Sequence, residues 1–209
     1  MLLSYLALGD SYTIGEAVLP EGNFPSQTVS LLNTTAVGAQ SRRQGFAAPR
    51  IIAKTGWTTD ELDAAIDTEN ITGTYDYVSL LIGVNNQYRG RSVNEYKVQF
   101  HHLLQRAIGF AGGQTAHVFV LSIPDWGVTP FAEGRDRNVI ASEIDQYNAA
   151  AAAICSQHAV RFIDITTAQR PDGNKPGFLA EDGLHPSALE YTKWATQLAA
   201  AIEAQINHG

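Results

Sequence analysis

The sequence predicts an α/β fold, a three-layer α/β/α sandwich in which helices cover both faces of a parallel sheet of about five strands. Short apolar runs alternate with longer segments of helical period, which is the pattern of right-handed βαβ crossovers. Two of the runs, residues 77–82 and 118–123, are nearly continuous in Val, Ile, Leu and Phe, as expected of strands buried on both faces. No repeat, low-complexity tract or linker occurs in the 209 residues, so one domain over residues 1–209 is expected.

Each strand and helix follows from a local pattern. The apolar runs that predict strands lie at residues 5–8, 51–53, 77–82, 118–123 and 160–165. Apolar residues at helical spacing predict helices at residues 59–67, 92–110, 138–157 and 187–206. Ser92 stands at the start of one of these helices and Glu95 follows three residues later, a capping-box pattern that indicates where the helix begins.

Composition and charge exclude several classes of function. The chain carries a formal charge of -7, which is unfavourable for binding nucleic acid or an anionic membrane surface. No apolar stretch approaches the roughly 18 residues of a membrane span, and the N-terminus lacks the basic segment of a signal peptide. Cys155 is the single cysteine, so no internal disulfide can form, which fits a reducing compartment. We therefore expect a cytoplasmic protein, unless a leader was removed before this sequence begins.

Two short motifs carry the groups needed for nucleophilic catalysis. Ser11 ends the tripeptide Gly-Asp-Ser directly after the first predicted strand, and Asp182 and His185 stand three residues apart before the last helix. A serine hydroxyl becomes an effective nucleophile when an imidazole takes its proton and a carboxylate orients that imidazole. Either motif alone is also an ordinary turn sequence. The catalytic interpretation therefore depends on both motifs meeting in the fold.

The predicted topology brings further polar groups to the same place. Ligands of parallel α/β sheets bind beyond the carboxyl ends of the strands, and Ser11, Gly56 and Asn85 follow the first, second and third strands. The N–H of Gly56 and the side-chain amide of Asn85 are candidate donors to the oxyanion of a tetrahedral intermediate, although both residue types are also common in turns. Residues 125–131 follow the fourth strand, and we expect them to border the acyl or alcohol site. Their aromatic side chains either pack in the core or contact substrate.

In order and approximate spacing these motifs resemble those of the SGNH hydrolases, also called the GDSL esterase/lipase family. The matching segments are residues 7–15 (ALGDSYTIG), 54–58 (KTGWT), 83–86 (GVNN) and 182–185 (DGLH). The resemblance implies a flavodoxin-like SGNH hydrolase fold, with Ser11 as the nucleophile, His185 as the base and Asp182 as its partner. It also implies an oxyanion hole made by the N–H groups of Ser11 and Gly56 and by the amide of Asn85.

Asn86 departs from the family pattern, which commonly has Asp at this position. Since Asn85 carries the implied chemistry, the departure concerns the hydrogen bonding of this loop and, through it, substrate preference. Arg89 and Arg91 follow in the same loop. A solvated basic loop is the favoured interpretation of these two residues, and capture of an anionic substrate group is the alternative.

The sequence predicts a serine esterase that hydrolyses short-chain acyl or acetyl esters of small molecules or sugars through an acyl-enzyme on Ser11. The alternatives are a thioesterase or lysophospholipase of the same fold, or a non-catalytic module that binds a carbohydrate or acyl ligand. The lack of a long apolar lid segment favours short-acyl substrates. No metal-ligand spacing and no nucleotide-binding glycine motif occurs in the sequence, so we expect no metal and no cofactor. The expected partner is a small-molecule ester, and the oligomeric state stays open.

Overall fold

Five parallel strands form the sheet in the computed structural model, which describes residues 2–38 and 44–208. The strands are β1 (Tyr5–Asp10), β2 (Arg50–Lys54), β3 (Tyr77–Leu81), β4 (Val118–Leu121) and β5 (Arg161–Ile163). Each lies on one of the predicted apolar runs, so all five predicted strands are confirmed. The last one is shorter than predicted because only residues 161–163 pair with β4.

Eight α-helices connect and cover these strands within the described residues. They are α1 (Ser11–Ile14), α2 (Phe24–Gly38), α3 (Thr59–Thr68), α4 (Val84–Tyr88), α5 (Val93–Phe110), α6 (Arg137–Gln157), α7 (Thr166–Gln169) and α8 (Ala188–His208). The four helices predicted from the sequence correspond to α3, α5, α6 and α8. The sequence does not predict α2, because this segment is rich in Ser, Thr and Asn, which are weak helix formers. Instead of local propensity, α2 has a distant partner, since it packs on α8.

The strand order β2-β1-β3-β4-β5 places β1 and β3 side by side. The chain leaves β1 for the edge at β2 and then returns past β1 to β3, so the direction of strand addition reverses at β1. This is the flavodoxin-like order, whose ligand crevice lies at the carboxyl ends of the strands beside the reversal. The predicted α/β fold is confirmed, and Ser11 and Asn85 follow the two strands that flank this crevice.

Helices cover the sheet in two groups. The helix α2 packs on α8, while α5 packs against both α3 and α6. Between these groups β1 is buried along its whole length, as expected of a strand covered on both faces. On the α2–α8 side, Phe24 lies with its ring centroid 6.4 Å from Tyr191 and 6.3 Å from Trp194. Tyr12 also packs on Trp194, at 6.3 Å, so this aromatic part of the core supports the segment that carries Ser11.

The start of α5 follows its prediction only in part. Ser92 Oγ accepts the N–H of Glu95 at 3.1 Å, which is the first half of the predicted capping box. The Glu95 carboxylate accepts hydrogen bonds from Arg91 at 3.4 Å and from Gln99 at 3.2 Å. Among the described residues, the return bond from the Ser92 N–H to Glu95 is not formed. The helix begins where the sequence predicts, with different partners for its acidic residue.

Candidate active site

Ser11 lies at the carboxyl end of β1, where the strand turns directly into α1. Asp10 caps this turn, since its Oδ1 accepts the N–H of Tyr12 at 3.0 Å. The position before it requires glycine, because a Cβ on Gly9 would overlap the hydroxyl of Thr13 and the last carbonyl oxygen of β3. The Gly-Asp-Ser sequence thus places a serine in the crevice that the strand order creates.

Asp182 and His185 form a hydrogen-bonded pair in the turn before α8. Asp182 Oδ2 lies 2.6 Å from His185 Nδ1, and Oδ1 accepts the N–H groups of Leu184 and His185, both at 2.9 Å. Burial opposes ionisation of Asp182, but the hydrogen bonds from His185 and Leu184 outweigh it and lower the pKa of this carboxyl. When Nδ1 donates its proton to the carboxylate, the lone pair of the neutral ring lies on Nε2. An imidazole in this state is ready to accept a proton.

Tyr12 packs against the ring of His185, a contact that the sequence motifs do not predict. The two ring centroids are 5.0 Å apart and the ring planes are tilted by 52°. His185 is only 6% exposed, so its ring is restrained by Asp182 through a hydrogen bond and by Tyr12 through packing. Tyrosine is large enough to fill this place, and no sequence pattern links the two positions.

Ser11 and His185 line the same cavity at the carboxyl ends of the strands. The two motifs, which are 174 positions apart (185 − 11), are therefore brought together by the fold. In the part of the chain that the structure describes, no hydrogen bond joins Ser11 Oγ to the His185 ring. Catalytic hydrogen bonds of unliganded enzymes are often long and shorten when substrate binds.

The two predicted oxyanion donors, Gly56 and Asn85, line this cavity as well. Gly56 follows β2 with a φ of 84°, a left-handed conformation that favours glycine. Asn85 lies in the first turn of α4, and its Nδ2 donates to the carbonyl of Trp57 at 3.0 Å and lies 3.4 Å from Asp10 Oδ2. Burial raises the pKa of Asp10 to about 7, although the N–H of Tyr12 and the Asn85 amide oppose this shift. Asn85 therefore bridges the end of β1 and the segment that follows β2.

Arg89 is exposed, as the favoured interpretation of a solvated basic loop expects, but both Arg89 and Arg91 also contact protein groups. Arg89 Nη2 donates to the carbonyl oxygen of Gly56 at 2.6 Å, and Nη1 pairs with Glu61 at 3.2 Å. Arg91 pairs with Asp60 at 2.6 Å, and its side chain is 25% exposed. The contact between Arg89 and Gly56 ties the loop after α4 to a predicted oxyanion donor. Sequence reasoning missed it, since nothing in the spacing of the two residues indicates that they meet.

The cavity has a volume of about 160 Å³. Its lining comprises Ser11, Tyr12, Thr55, Gly56, Val84, Asn85, Tyr88, Trp126, Phe131, Leu184 and His185. Apart from the predicted catalytic groups, these side chains are mainly aromatic or aliphatic. Two of them, Trp126 and Phe131, come from residues 125–131, so this loop borders the cavity. Trp126 lines the cavity and is also buried in the core.

Within residues 2–38 and 44–208 the structure contains neither a candidate metal site nor a helix that could span a membrane. No cluster of three or more His, Cys, Asp or Glu side chains there could hold a metal ion. No helix in those ranges is long and apolar enough to cross a membrane.

Comparison with known proteins identifies the family. Residues 7–193 match the model of the GDSL-like lipase/acylhydrolase family, a range that includes both the Gly-Asp-Ser turn and the Asp182–His185 pair. The chain therefore belongs to this family, and it is an enzyme of the class that hydrolyses ester bonds. A search of curated protein sequences found no match.

Solved structures of the same class share the fold. A lipase/acylhydrolase from Enterococcus faecalis is 20% identical with a TM-score of 0.70, and the alignment covers 98% of this chain and 97% of that one. An acetyl xylan esterase from Geobacillus stearothermophilus is 22% identical over 96% of each chain, with a TM-score of 0.71. A psychrotrophic esterase from Pseudoalteromonas sp. is 15% identical over 98% of each chain, with a TM-score of 0.66. At these identities the likeness extends to the fold alone.

Proposed function

We propose that this protein is a serine esterase for short-acyl esters, with Ser11 as nucleophile and His185 as general base. The observation that carries the proposal is the 2.6 Å contact between Asp182 Oδ2 and His185 Nδ1 in a turn whose histidine shares a cavity with Ser11. A carboxylate that fixes the tautomer of an imidazole beside a serine is the arrangement required to activate the hydroxyl.

The reaction follows from these positions in two balanced steps. Ser11 Oγ attacks the ester carbonyl carbon while His185 Nε2 takes the hydroxyl proton, which gives a tetrahedral oxyanion. As the bond to the alcohol oxygen breaks, His185 returns the proton to the departing alcohol, and the acyl group stays on Ser11. Water then attacks the acyl-enzyme with His185 again as base, so that the carboxylic acid leaves and Ser11 regains its proton.

The proposed oxyanion hole consists of the N–H groups of Ser11 and Gly56 and the Nδ2 amide of Asn85. The long 3.4 Å contact between Asn85 Nδ2 and Asp10 Oδ2 is weak by geometric criteria, so a developing oxyanion can compete for that hydrogen. Stabilisation by one such donor typically contributes about 2.7–4 kcal/mol to the transition state.

Cavity size supports a short acyl group. A cavity of about 150 Å³ accommodates benzene, so the 160 Å³ found here has room for roughly six carbon atoms. The apolar side chains Val84, Trp126 and Leu184 suit an alkyl chain rather than a charged group. Acetyl esters of sugars are one candidate class, since one of the similar structures is an acetyl xylan esterase. A thioester with a short acyl group would fit equally well, whereas the long acyl chain of a lysophospholipid exceeds this volume.

The test is hydrolysis of p-nitrophenyl acetate and butyrate by the wild-type protein and by Ser11→Ala. We expect the variant to lose turnover while its thermal unfolding stays near that of the wild type. A fluorophosphonate probe should label the wild type on Ser11, identified by peptide mass spectrometry, and should leave the variant unlabelled. Unchanged ester hydrolysis in Ser11→Ala would refute the proposal. Absence of both hydrolysis and labelling in the wild type would favour the binding-module alternative.

A further inference from the structure

A second groove lies beside the proposed acyl cavity and shares a wall with it. The groove has a volume of about 420 Å³. Its lining comprises Gln87, Tyr88, Gly90, Trp126, Arg135, Asp136, Val139, Ile140 and Glu143. Of the residues that the structure describes, only Tyr88 and Trp126 line both the groove and the 160 Å³ cavity. These two aromatic residues therefore separate the cavity from the groove.

Trp126 is the fixed half of this wall. It is 3% exposed, and its Nε1–H donates to Gln87 Oε1 at 2.7 Å. Gln87 is held in turn, because its Nε2 donates to Glu143 Oε2 on α6 at 2.7 Å. A buried indole with a satisfied and anchored N–H does not leave its position readily.

Tyr88 is the exposed half of the wall, with 42% of its surface accessible. Its ring meets Trp126 edge-on at 5.3 Å between centroids. On the groove side, the guanidinium of Arg135 lies 5.2 Å from the Tyr88 centroid and 5.5 Å from the Trp126 centroid. On the cavity side, Phe131 lies 6.1 Å from Tyr88. Tyr88 is thus held between an aromatic ring and a cation, by contacts of about 0.5–1 kcal/mol each at exposed sites.

We propose that Tyr88 is a specificity-determining residue that ends the acyl site and limits the acyl group to about six carbons. Arg135 is a positioning residue, because it contacts the wall from the groove and does not line the cavity. The proposal rests on the esterase function proposed above. If the Tyr88 ring is removed, the cavity and the groove become continuous, and the apolar side chains of Val139 and Ile140 offer a surface for a longer alkyl chain.

The experiment compares kcat/KM for p-nitrophenyl acetate, butyrate and octanoate in the wild type and in Tyr88→Ala. We expect the octanoate-to-butyrate ratio to rise at least tenfold in the variant, since each additional buried methylene contributes a factor of about four. Tyr88→Phe should return the ratio toward the wild-type value, because it keeps the ring. Arg135→Ala should raise the ratio by a smaller factor, and Arg161→Ala, which removes an exposed arginine on β5, should leave it unchanged.

Three outcomes would overturn the proposal. One is an octanoate-to-butyrate ratio in Tyr88→Ala equal to that of the wild type while acetate is still hydrolysed. Another is a shift that appears with longer alkyl acetates and not with longer acyl groups, which would place the alcohol at this wall. A wild type that prefers octanoate also contradicts it. If the wild type hydrolyses no ester, the proposed function itself fails, and that result is visible before any variant is compared. Should Tyr88→Ala not fold, Tyr88→Val provides the same test with a branched side chain.

Discussion

Replacing Arg89 with Ala should lower turnover while leaving substrate binding nearly unchanged. Arg89 contacts two residues of the proposed oxyanion hole, Gly56 and Asn85. Its Nη2 donates to the carbonyl oxygen of Gly56 at 2.6 Å, and its backbone N–H donates to the carbonyl oxygen of Asn85 at 3.1 Å. Only the first contact depends on the side chain. Removing it releases the carbonyl of the peptide unit between Gly56 and Trp57. The preceding peptide unit, which carries the proposed donor N–H of Gly56, is then less restrained, because it is joined to the released unit through the flexible φ and ψ of a glycine.

The size of the effect follows from this geometry. A hydrogen bond from a charged donor contributes about 1.5–3 kcal/mol, and we reduce this to roughly 1–2 kcal/mol because the Arg89 side chain is 43% exposed to solvent. The complete loss of one oxyanion donor costs about 2.7–4 kcal/mol, so a loosened donor should lose part of that amount. At about 1.4 kcal/mol per factor of ten, kcat should fall by about 5- to 30-fold. The ion pair with Glu61, which is also exposed, contributes less than about 1 kcal/mol to stability.

The assay measures kcat and KM separately on p-nitrophenyl butyrate, together with urea unfolding. Arg91→Ala is the matched control, because this neighbouring arginine pairs with Asp60 and its side chain contacts neither Gly56 nor Asn85. Arg89→Lys should recover part of the lost kcat, as an ammonium can reach the same carbonyl with poorer geometry. A kcat within twofold of the wild type in Arg89→Ala, or an equal loss in Arg91→Ala, would refute the reasoning.

Two further predictions concern carboxyl groups of the site, Asp182 and the buried Asp10. Asp182→Asn should lower kcat by about 10³–10⁴ with little change in KM, since the amide favours the wrong tautomer of His185; steady-state kinetics check this, and a loss below tenfold would contradict it. Asp10→Asn should flatten the pH dependence of stability. Burial raises the pKa of Asp10 to about 7 from 3.8, so the folded state binds more protons than the unfolded state, and wild-type stability should fall as pH rises from 3.8 to about 7. Urea unfolding at pH 5 and pH 8 measures the slope, and an identical slope in Asp10→Asn would exclude Asp10 as its source.

The fold could be predicted from the sequence because its strands are marked by composition. The runs at residues 77–82 and 118–123 consist almost wholly of residues that suit a strand buried on both faces. The helix α2 could not be predicted in the same way. Its Ser, Thr and Asn residues have weak helix propensity, and the helix packs on α8, more than 150 residues away along the chain. Propensity within a segment carries no information about such a partner.

The candidate site likewise has residues that the sequence predicts and contacts that it does not predict. Ser11, Gly56 and Asn85 were predictable because each lies shortly after the carboxyl end of a strand, and the topology brings the ends of neighbouring parallel strands together. Their catalytic roles stay predictions. The contacts that orient these residues were not predictable. Arg89 contacts Gly56 and Tyr12 contacts His185 through side chains from segments that are far apart in the sequence. The spacing of residues along the chain does not predict such contacts.

Asn86 illustrates how one substitution depends on a whole network. Its Nδ2 donates to Thr59 Oγ1 at 2.7 Å, and its Oδ1 accepts the Thr59 N–H at 3.0 Å. The Thr59 hydroxyl donates to Gln99 Oε1, whose amide nitrogen donates to Glu95 at 3.2 Å. The Glu95 carboxylate at the end of this chain can only accept a hydrogen bond, and this fixes which atom donates at each of the other contacts. An amide at position 86 completes the chain, and it ties α4, which carries Asn85, to the start of α3.

The family commonly has aspartate at this position, and aspartate could not donate the hydrogen bond that Asn86 Nδ2 gives to Thr59 Oγ1. A carboxylate at residue 86 keeps the bond from the Thr59 N–H but faces an oxygen whose hydrogen is already given to Gln99. Because residue 86 is fully buried, Asn86→Asp should lower the free energy of unfolding by about 1–3 kcal/mol. Urea unfolding at pH 7 measures the loss, and Asn94→Asp on the exposed start of α5 is the matched control. The loss should shrink at pH 5, where a buried carboxyl is more readily protonated and can itself donate to Thr59. Equal stability of Asn86→Asp and wild type at both pH values would mean that the network reorients freely, and the amide at residue 86 would then have no structural reason.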